Sequence, residues 1–356
     1  MKKLALLLIL SPFICSSFSI AESPPFRIGV LLPLTGNFAY FGEQTKQGLT
    51  LALEELNASL KRKIELVYED DECLPKMAVR GMTKLLEIDK VDLVIGPACS
   101  TSILSVAPLV QRKNTPVVFL LDTGEQVAAL PDPLFSIGFS PNNLARLLAT
   151  NMISKGFKKI ATITEEEEYA ILISKAFTER YKSLGGIILT ALDHPTSSKD
   201  YRTTTLNALK NKPDAIFMSS AYETGTFLKQ LRTLNKTIPV FGNDTMCVQE
   251  TIDTAGAAAE NGVCANVMLD ESHPKVKEFR ALLVKKFGAV PNSLFYSALG
   301  YDGLKTGTVI LEKSTAYARN NIISGTILSA QKLSAEGVVP VTPNIAVIKG
   351  GKLVSE

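Results

Sequence analysis

Short apolar runs alternate with longer segments of helical period along almost the whole chain. The first run, Phe26 to Leu34, closes on Thr35-Gly36 and reads as a strand buried on both faces. Between Glu43 and Asn57, the residues Leu49, Leu51, Ala52, Leu53 and Leu56 fall mostly on one face of a helix, and Asn57 suits its end. The pattern repeats, with strands predicted at 64–68, 91–95 and 116–121 and helices at 75–88 and 102–111. Each strand is too apolar to have a solvated face, which predicts a parallel sheet covered by helices on both sides.

A second series follows Pro141. It has helices at 142–155, 169–184, 203–209 and 224–234, and strands at 159–164, 186–191, 215–219 and 239–241. A strand-like stretch at 262–268, two long helical patterns at 274–287 and 293–311, and a β-rich tail at 345–348 and Leu353 complete the chain. The fold class is therefore α/β, with two Rossmann-like lobes. A chain of 356 residues is also long for one core. No low-complexity linker separates the halves, so they join through a hinge rather than a tether.

Met1-Lys2-Lys3, the apolar run from Leu4 to Leu10 and the small residues Ser19 and Ala21 predict a signal peptide over residues 1–21, cut after Ala21. The protein is accordingly expected in the periplasm. The apolar stretch is broken by Pro12 and falls short of the roughly 18–20 residues that span a bilayer. Phe13-Ile14 fits poorly with lipid attachment at Cys15. Loss of Lys2 and Lys3 lowers the formal charge from +3 to +1, and the acids and bases are interspersed, which argues against nucleic acid as a partner.

Cys73, Cys99, Cys247 and Cys264 form an even set in a chain bound for an oxidising compartment. Their grouping suggests Cys73 with Cys99 and Cys247 with Cys264, although four cysteines allow three connectivities and four buried thiols are the alternative. The two histidines, His194 and His273, lie far apart, so neither a metal site nor a Ser-His triad is expected. Pro33-Leu34-Thr35-Gly36 is not the glycine-rich turn of a dinucleotide enzyme. The acidic run Glu165–Glu168 reads as a solvated stretch. No enzyme activity and no cofactor are expected.

In open parallel sheets, ligands sit beyond the carboxyl ends of the strands. Four such loops are polar: 33–36, 96–101, 122–124 and 242–245. Ser100 and Thr101 stand at a helix start, where a hydroxyl, free N–H groups and the positive end of the helix dipole suit a carboxylate. Ser100 could equally be a plain N-cap, and Thr123 has the same two readings. Asp244 is either a turn residue or the partner of an ammonium group.

Three segments carry a family resemblance: Ile28-Gly-Val-Leu-Leu-Pro-Leu-Thr-Gly36 with Tyr40-Phe41-Gly42, Asp70-Asp-Glu-Cys-Leu-Pro-Lys-Met-Ala78, and Val94-Ile-Gly-Pro-Ala-Cys-Ser-Thr-Ser102. The chain resembles the leucine/isoleucine/valine-binding family, the type I periplasmic binding proteins of branched-chain amino-acid ABC transporters. The likeness runs over nearly all of the mature chain and is strongest at 26–123. It implies two lobes joined by a three-strand hinge, with residues 22–141 and 270–335 in lobe one and residues 142–269 and 336–356 in lobe two. It also implies a Cys73–Cys99 disulfide.

By the same resemblance, Ser100 binds the ligand carboxylate, Thr123 binds carboxylate and ammonium, and the Leu121 carbonyl accepts from the ammonium. Asp244 stands where the family has an acid, usually Glu, that meets the ammonium. Phe41 falls on a family aromatic, Tyr169 on a cleft tyrosine, and Tyr222 at or next to another. Phe41 lacks the hydroxyl often found there, Asp122 adds a charge and Ala170 replaces a common Gly. The implied function is capture of an amino acid, branched-chain or similarly apolar, by a monomer that delivers it to an ABC permease. A free sensor of amides or amino acids, signalling to a partner protein, is the alternative that the same fold serves.

Overall fold

The protein is described by a computed structural model covering residues 23–121, 134–196, 198–221, 223–328 and 338–356. Residues 1–22, on which the expected signal peptide falls, and Asp122, Thr123 and Tyr222 lie outside the described residues. Two sheets organise the chain. The first contains β1 (Phe26–Leu32), β2 (Ile64–Asp70), β3 (Leu93–Ile95), β4 (Val117–Phe119), β5 (Leu134–Phe139) and β11 (Val338–Val341). Their order is β2-β1-β3-β4-β5-β11, all parallel.

The second sheet contains β6 (Lys159–Glu165), β7 (Ile187–His194), β8 (Ala215–Ser219), β9 (Val240–Gly242), β10 (Val263–Asn266), β12 (Asn344–Lys349) and β13 (Lys352–Ser355). The order is β7-β6-β8-β9-β10-β12-β13, parallel as far as β10 and antiparallel for the last two strands. Central strands such as β1 bury Ile28, Val30, Leu31 and Leu32 completely, which is why their sequences show no polar alternation.

Helices α1 (Ala39–Ser59), α2 (Pro75–Thr83) and α3 (Ser100–Lys113) belong to the first series. The second contains α4 (Pro141–Ser154), α5 (Glu168–Ser183), α6 (Arg202–Leu209), α7 (Thr224–Leu234) and α8 (Gln249–Ala255). Then come α9 (Pro274–Phe287), α10 (Leu294–Glu312) and α11 (Thr315–Asn320), of which α10 returns to pack on α1 and β3. Proline opens α2, α4 and α9, where its fixed φ and missing N–H do no harm.

Helices α1 and α10 touch backbone to backbone. A Cβ on Gly48 would lie 1.7 Å from the Ser297 carbonyl oxygen, and one on Gly300 would lie 2.0 Å from that of Thr45. No larger residue fits at either crossing point. This seam fixes the first turns of both helices, which carry Tyr40, Phe41 and Tyr296.

The architecture departs from expectation at one strand and in the tail, and it adds two short helices, α8 and α11, that the pattern does not predict. The run at 134–139 is a strand that the pattern does not predict, because Ser136 and Gly138 interrupt its apolar character. Its neighbours absorb both residues: the Ser136 hydroxyl donates to the Leu121 carbonyl at 2.8 Å, and Gly138 holds a φ of +131° beside the Leu120 carbonyl. The tail also divides. Val338–Val341 pairs with Ser136–Phe139 in the first sheet, and only β12 and β13 join the second, so the expected assignment of all of 336–356 to lobe two does not hold for this strand. Pro340 lacks an N–H, and an edge strand is where a sheet tolerates that. The chain thus passes between the sheets after β5, after β10 and between β11 and β12.

Candidate ligand-binding site

A cavity opens where the carboxyl ends of strands from both sheets face each other, and water-molecule centres can occupy about 90 Å³ of it. The first lobe contributes Ser100 and Thr101 from the start of α3, Leu121 beyond β4, and Tyr40 and Phe41 from α1. From the second lobe come Tyr169 and Glu167 at the start of α5, and Asp244 beyond β9.

Ser100 is the first helical residue of α3, while the cap position before it is Cys99. Ser100 is 2% exposed, and among the described residues its Oγ has no hydrogen-bond partner. The hydroxyl therefore does not cap its own helix. Burying it unpaired disfavours the empty site by about 1–3 kcal/mol. The first N–H groups of a helix have no intrahelical acceptor and carry its positive dipole end, so an anion beside Ser100 would meet both. Thr101 turns away, its hydroxyl donating to the Cys73 carbonyl at 3.2 Å.

The loop that carries Ser100 is pinned by a disulfide between Cys73 and Cys99, whose Cα atoms are 5.5 Å apart. A second disulfide joins Cys247 to Cys264, with a Cα separation of 5.8 Å. It ties the short 3-10 turn Asp244–Cys247 to β10. Each lobe thus has one cystine holding one element of the cleft.

Asp244 is 6% exposed. Its Oδ1 accepts from the Tyr169 hydroxyl at 2.6 Å and from Asn243 Nδ2 at 3.2 Å. Burial pushes its carboxyl up to about 6, against the hydrogen bonds, which pull the other way. The Tyr169 phenol is held well above its ordinary range by burial and by the Asp244 charge. Among the described residues that line the cavity there is no Lys, Arg or His. A positive charge beside a buried carboxylate offsets the cost of its burial.

Leu121 lines the cavity, and its carbonyl accepts from the Ser136 hydroxyl at 2.8 Å. Phe41 is buried with its ring 4.6 Å from that of Tyr296 at an interplanar angle of 82°, an edge-to-face pair. Thr123 and Tyr222 lie outside the described residues.

Sequence reasoning missed Tyr40, Tyr296, Phe139, Leu299 and Glu167, all of which line the cavity. Tyr296 arrives through the α1–α10 packing, and no local pattern marks it. The acidic run at 165–168 is solvated only in part. Glu166 and Glu168 are exposed, but Glu165 is fully buried and accepts from the Ser220 hydroxyl and the Ala221 N–H. Glu167 caps α5 through the N–H groups of Tyr169 and Ala170, and burial raises its carboxyl above the ordinary range.

The periplasmic binding protein family model matches residues 25–333. An amino acid binding protein of Pseudomonas aeruginosa is 26% identical over 237 residues, which cover 64% of this chain and 63% of that relative, just under two thirds of its length. Among solved structures, a leucine binding protein of Thermotoga maritima superimposes with a TM-score of 0.83 at 23% identity, over 93% of this chain and 97% of that one. A solute binding protein from R. palustris, in complex with benzoate, gives 0.79 at 21% identity, over 93% and 95%. At these identities, the structural matches establish the fold. The matched family consists of small-molecule binding proteins that work with ABC transporters, not of enzymes. With a family match over most of its length and a two-lobed cleft to go with it, the chain belongs to the periplasmic binding protein family.

Proposed function

We propose that the protein is an extracytoplasmic solute-binding protein that captures an α-amino acid between its lobes and hands it to an ABC permease. One observation supports this reading above the others. A buried, partnerless Ser100 hydroxyl at a helix N-terminus and a buried Asp244 carboxylate without a cation face the same cavity from opposite lobes. That arrangement suits the two ends of a zwitterion. Ser100 and the α3 N–H groups would take the carboxylate; Asp244, with the Leu121 carbonyl, would take the ammonium. Thr123 is proposed to assist at both ends and Tyr222 to close the cleft. Phe41, Phe139, Leu121 and Leu299 would cover the apolar part of the side chain, which accords with a branched-chain or similarly apolar ligand.

The benzoate-bound neighbour shows that the fold alone does not choose the ligand. Asp244 favours the amino acid, because an aromatic carboxylate brings no positive charge to it. A thermal-shift screen of the mature protein against the twenty amino acids and a set of aromatic carboxylates tests the reading, with wild type beside Asp244→Ala. A ligand bound only by the folded form raises the melting temperature by mass action. Stabilisation by an α-amino acid that disappears in the variant is expected; equal stabilisation of both proteins by benzoate-like acids would overturn the reading.

A further inference from the structure

A second chamber adjoins the cleft, with about 220 Å³ open to water-molecule centres. Tyr40 and Tyr296 line both spaces, their rings 6.3 Å apart and edge-on, so the two chambers meet at this pair. The far chamber is bounded by Gln249 and Glu250 at the start of α8, by the crossover after β10 and by the α9–α10 loop. None of its described lining residues is Lys, Arg or His.

Charge balance decides what could occupy it. Among the described residues, neither Asp244 nor Glu250 forms an ion pair. The other acid of the far chamber, Glu271, lies 3.5 Å from Arg280. Glu250 accepts from Asn292 Nδ2 at 2.9 Å through Oε1, while its Oε2 is shut off from solvent and has no hydrogen-bond partner among the described residues. An α-amino acid with a neutral side chain would satisfy Ser100 and Asp244 and leave this oxygen unmet.

The two tyrosines also report how near the carboxylates are. Both phenols are raised chiefly by burial and, in addition, by the charges of Asp244 and Glu250, so one aromatic pair lies within electrostatic reach of both acids. A methylene chain running from Asp244 towards Glu250 would lie along aromatic surface, the environment in which long cationic side chains bury their stems and keep their heads polar.

We infer that the amino acid taken by this cleft carries a second cationic nitrogen at the end of an unbranched side chain, as lysine, ornithine and arginine do, and that Glu250 receives it beside Tyr40 and Tyr296. This rests on the α-amino-acid reading above and departs from its apolar side chain: the part that meets the apolar lining is a stem, and its tip is charged.

Calorimetric titration of the mature protein with L-lysine and L-norleucine, which differ by the terminal ammonium, tests the assignment. Wild type is expected to bind lysine at least tenfold more tightly, and Glu250→Gln to reduce the lysine-to-norleucine affinity ratio about tenfold. Glu250→Asp, which keeps the charge, should retain part of the preference. If Glu250→Gln fails to fold, the wild-type ratio decides alone. A ratio of one or less in wild type, or a ratio unchanged in Glu250→Gln, overturns this inference and leaves the amino-acid reading standing. Failure of every α-amino acid to bind overturns both.

Discussion

Ser100 and Asp244 do opposite electrostatic work from similar burial. Ser100 offers a neutral hydroxyl beside a helix terminus, and its truncation to Ala would remove the hydrogen bond proposed to a charged ligand group. Such bonds are worth about 1.5–3 kcal/mol, so Ser100→Ala should weaken amino-acid binding roughly 10- to 150-fold in a titration without lowering the melting temperature of the free protein. Asp244 adds a pH dependence. Its carboxyl is raised by burial to about 6 in the empty cleft, and an ammonium requires the ionised form. Binding therefore expels a proton at low pH. Affinity should be flat above about pH 7 and fall by up to tenfold per pH unit below about 6. Titration across pH 4.5–8 checks this, and Asp244→Asn should abolish the slope together with the tight binding. For stability the sign reverses: because the folded value is raised, ionising Asp244 in the empty protein destabilises it as pH rises from about 4 to about 6.

At the scale of elements, the glycine contact between α1 and α10 sets the aromatic wall. Gly48→Ala drives a methyl group into the Ser297 carbonyl and must separate the two helices. Overpacking of this kind costs about 1–3 kcal/mol or more. Urea unfolding of the variant should show at least that loss, and binding should weaken as Tyr40 and Tyr296 shift. A loss below about 0.5 kcal/mol would mean that the helices are not in backbone contact. This seam also shows where the sequence stops being legible. Strand-end loops, Ser100 and Asp244 follow from the alternation of apolar runs, since the open-sheet rule points to the loops after them. Gly48 and Gly300 give no periodic signal, and Tyr296 meets Phe41 only because two helices about 250 residues apart in the chain close on each other. β5 stayed hidden for a related reason: Ser136 and Gly138 look like turn residues until Leu120 and Leu121 supply their partners. The acidic run 165–168 misled because four like charges suggest solvent, whereas β6 and the start of α5 turn Glu165 and Glu167 inward.

Across the whole molecule, one parallel and one largely parallel sheet, joined by three crossings, place two oppositely suited helix and strand ends around one space. In the proposed reading each lobe supplies half of a zwitterion site, so ligand affinity would depend on the lobes meeting, and closure around the ligand would be a hinge motion. The central claim is that both ends of an α-amino acid are recognised at once. The most direct measurement is calorimetric titration of the wild-type protein with the most stabilising amino acid, its decarboxylated amine and its deaminated acid. The two-ended site predicts tight binding of the intact amino acid and a loss of at least a hundredfold for each truncated form. Comparable affinity for the deaminated acid would contradict the role given to Asp244 and place the protein with the binders of plain carboxylates.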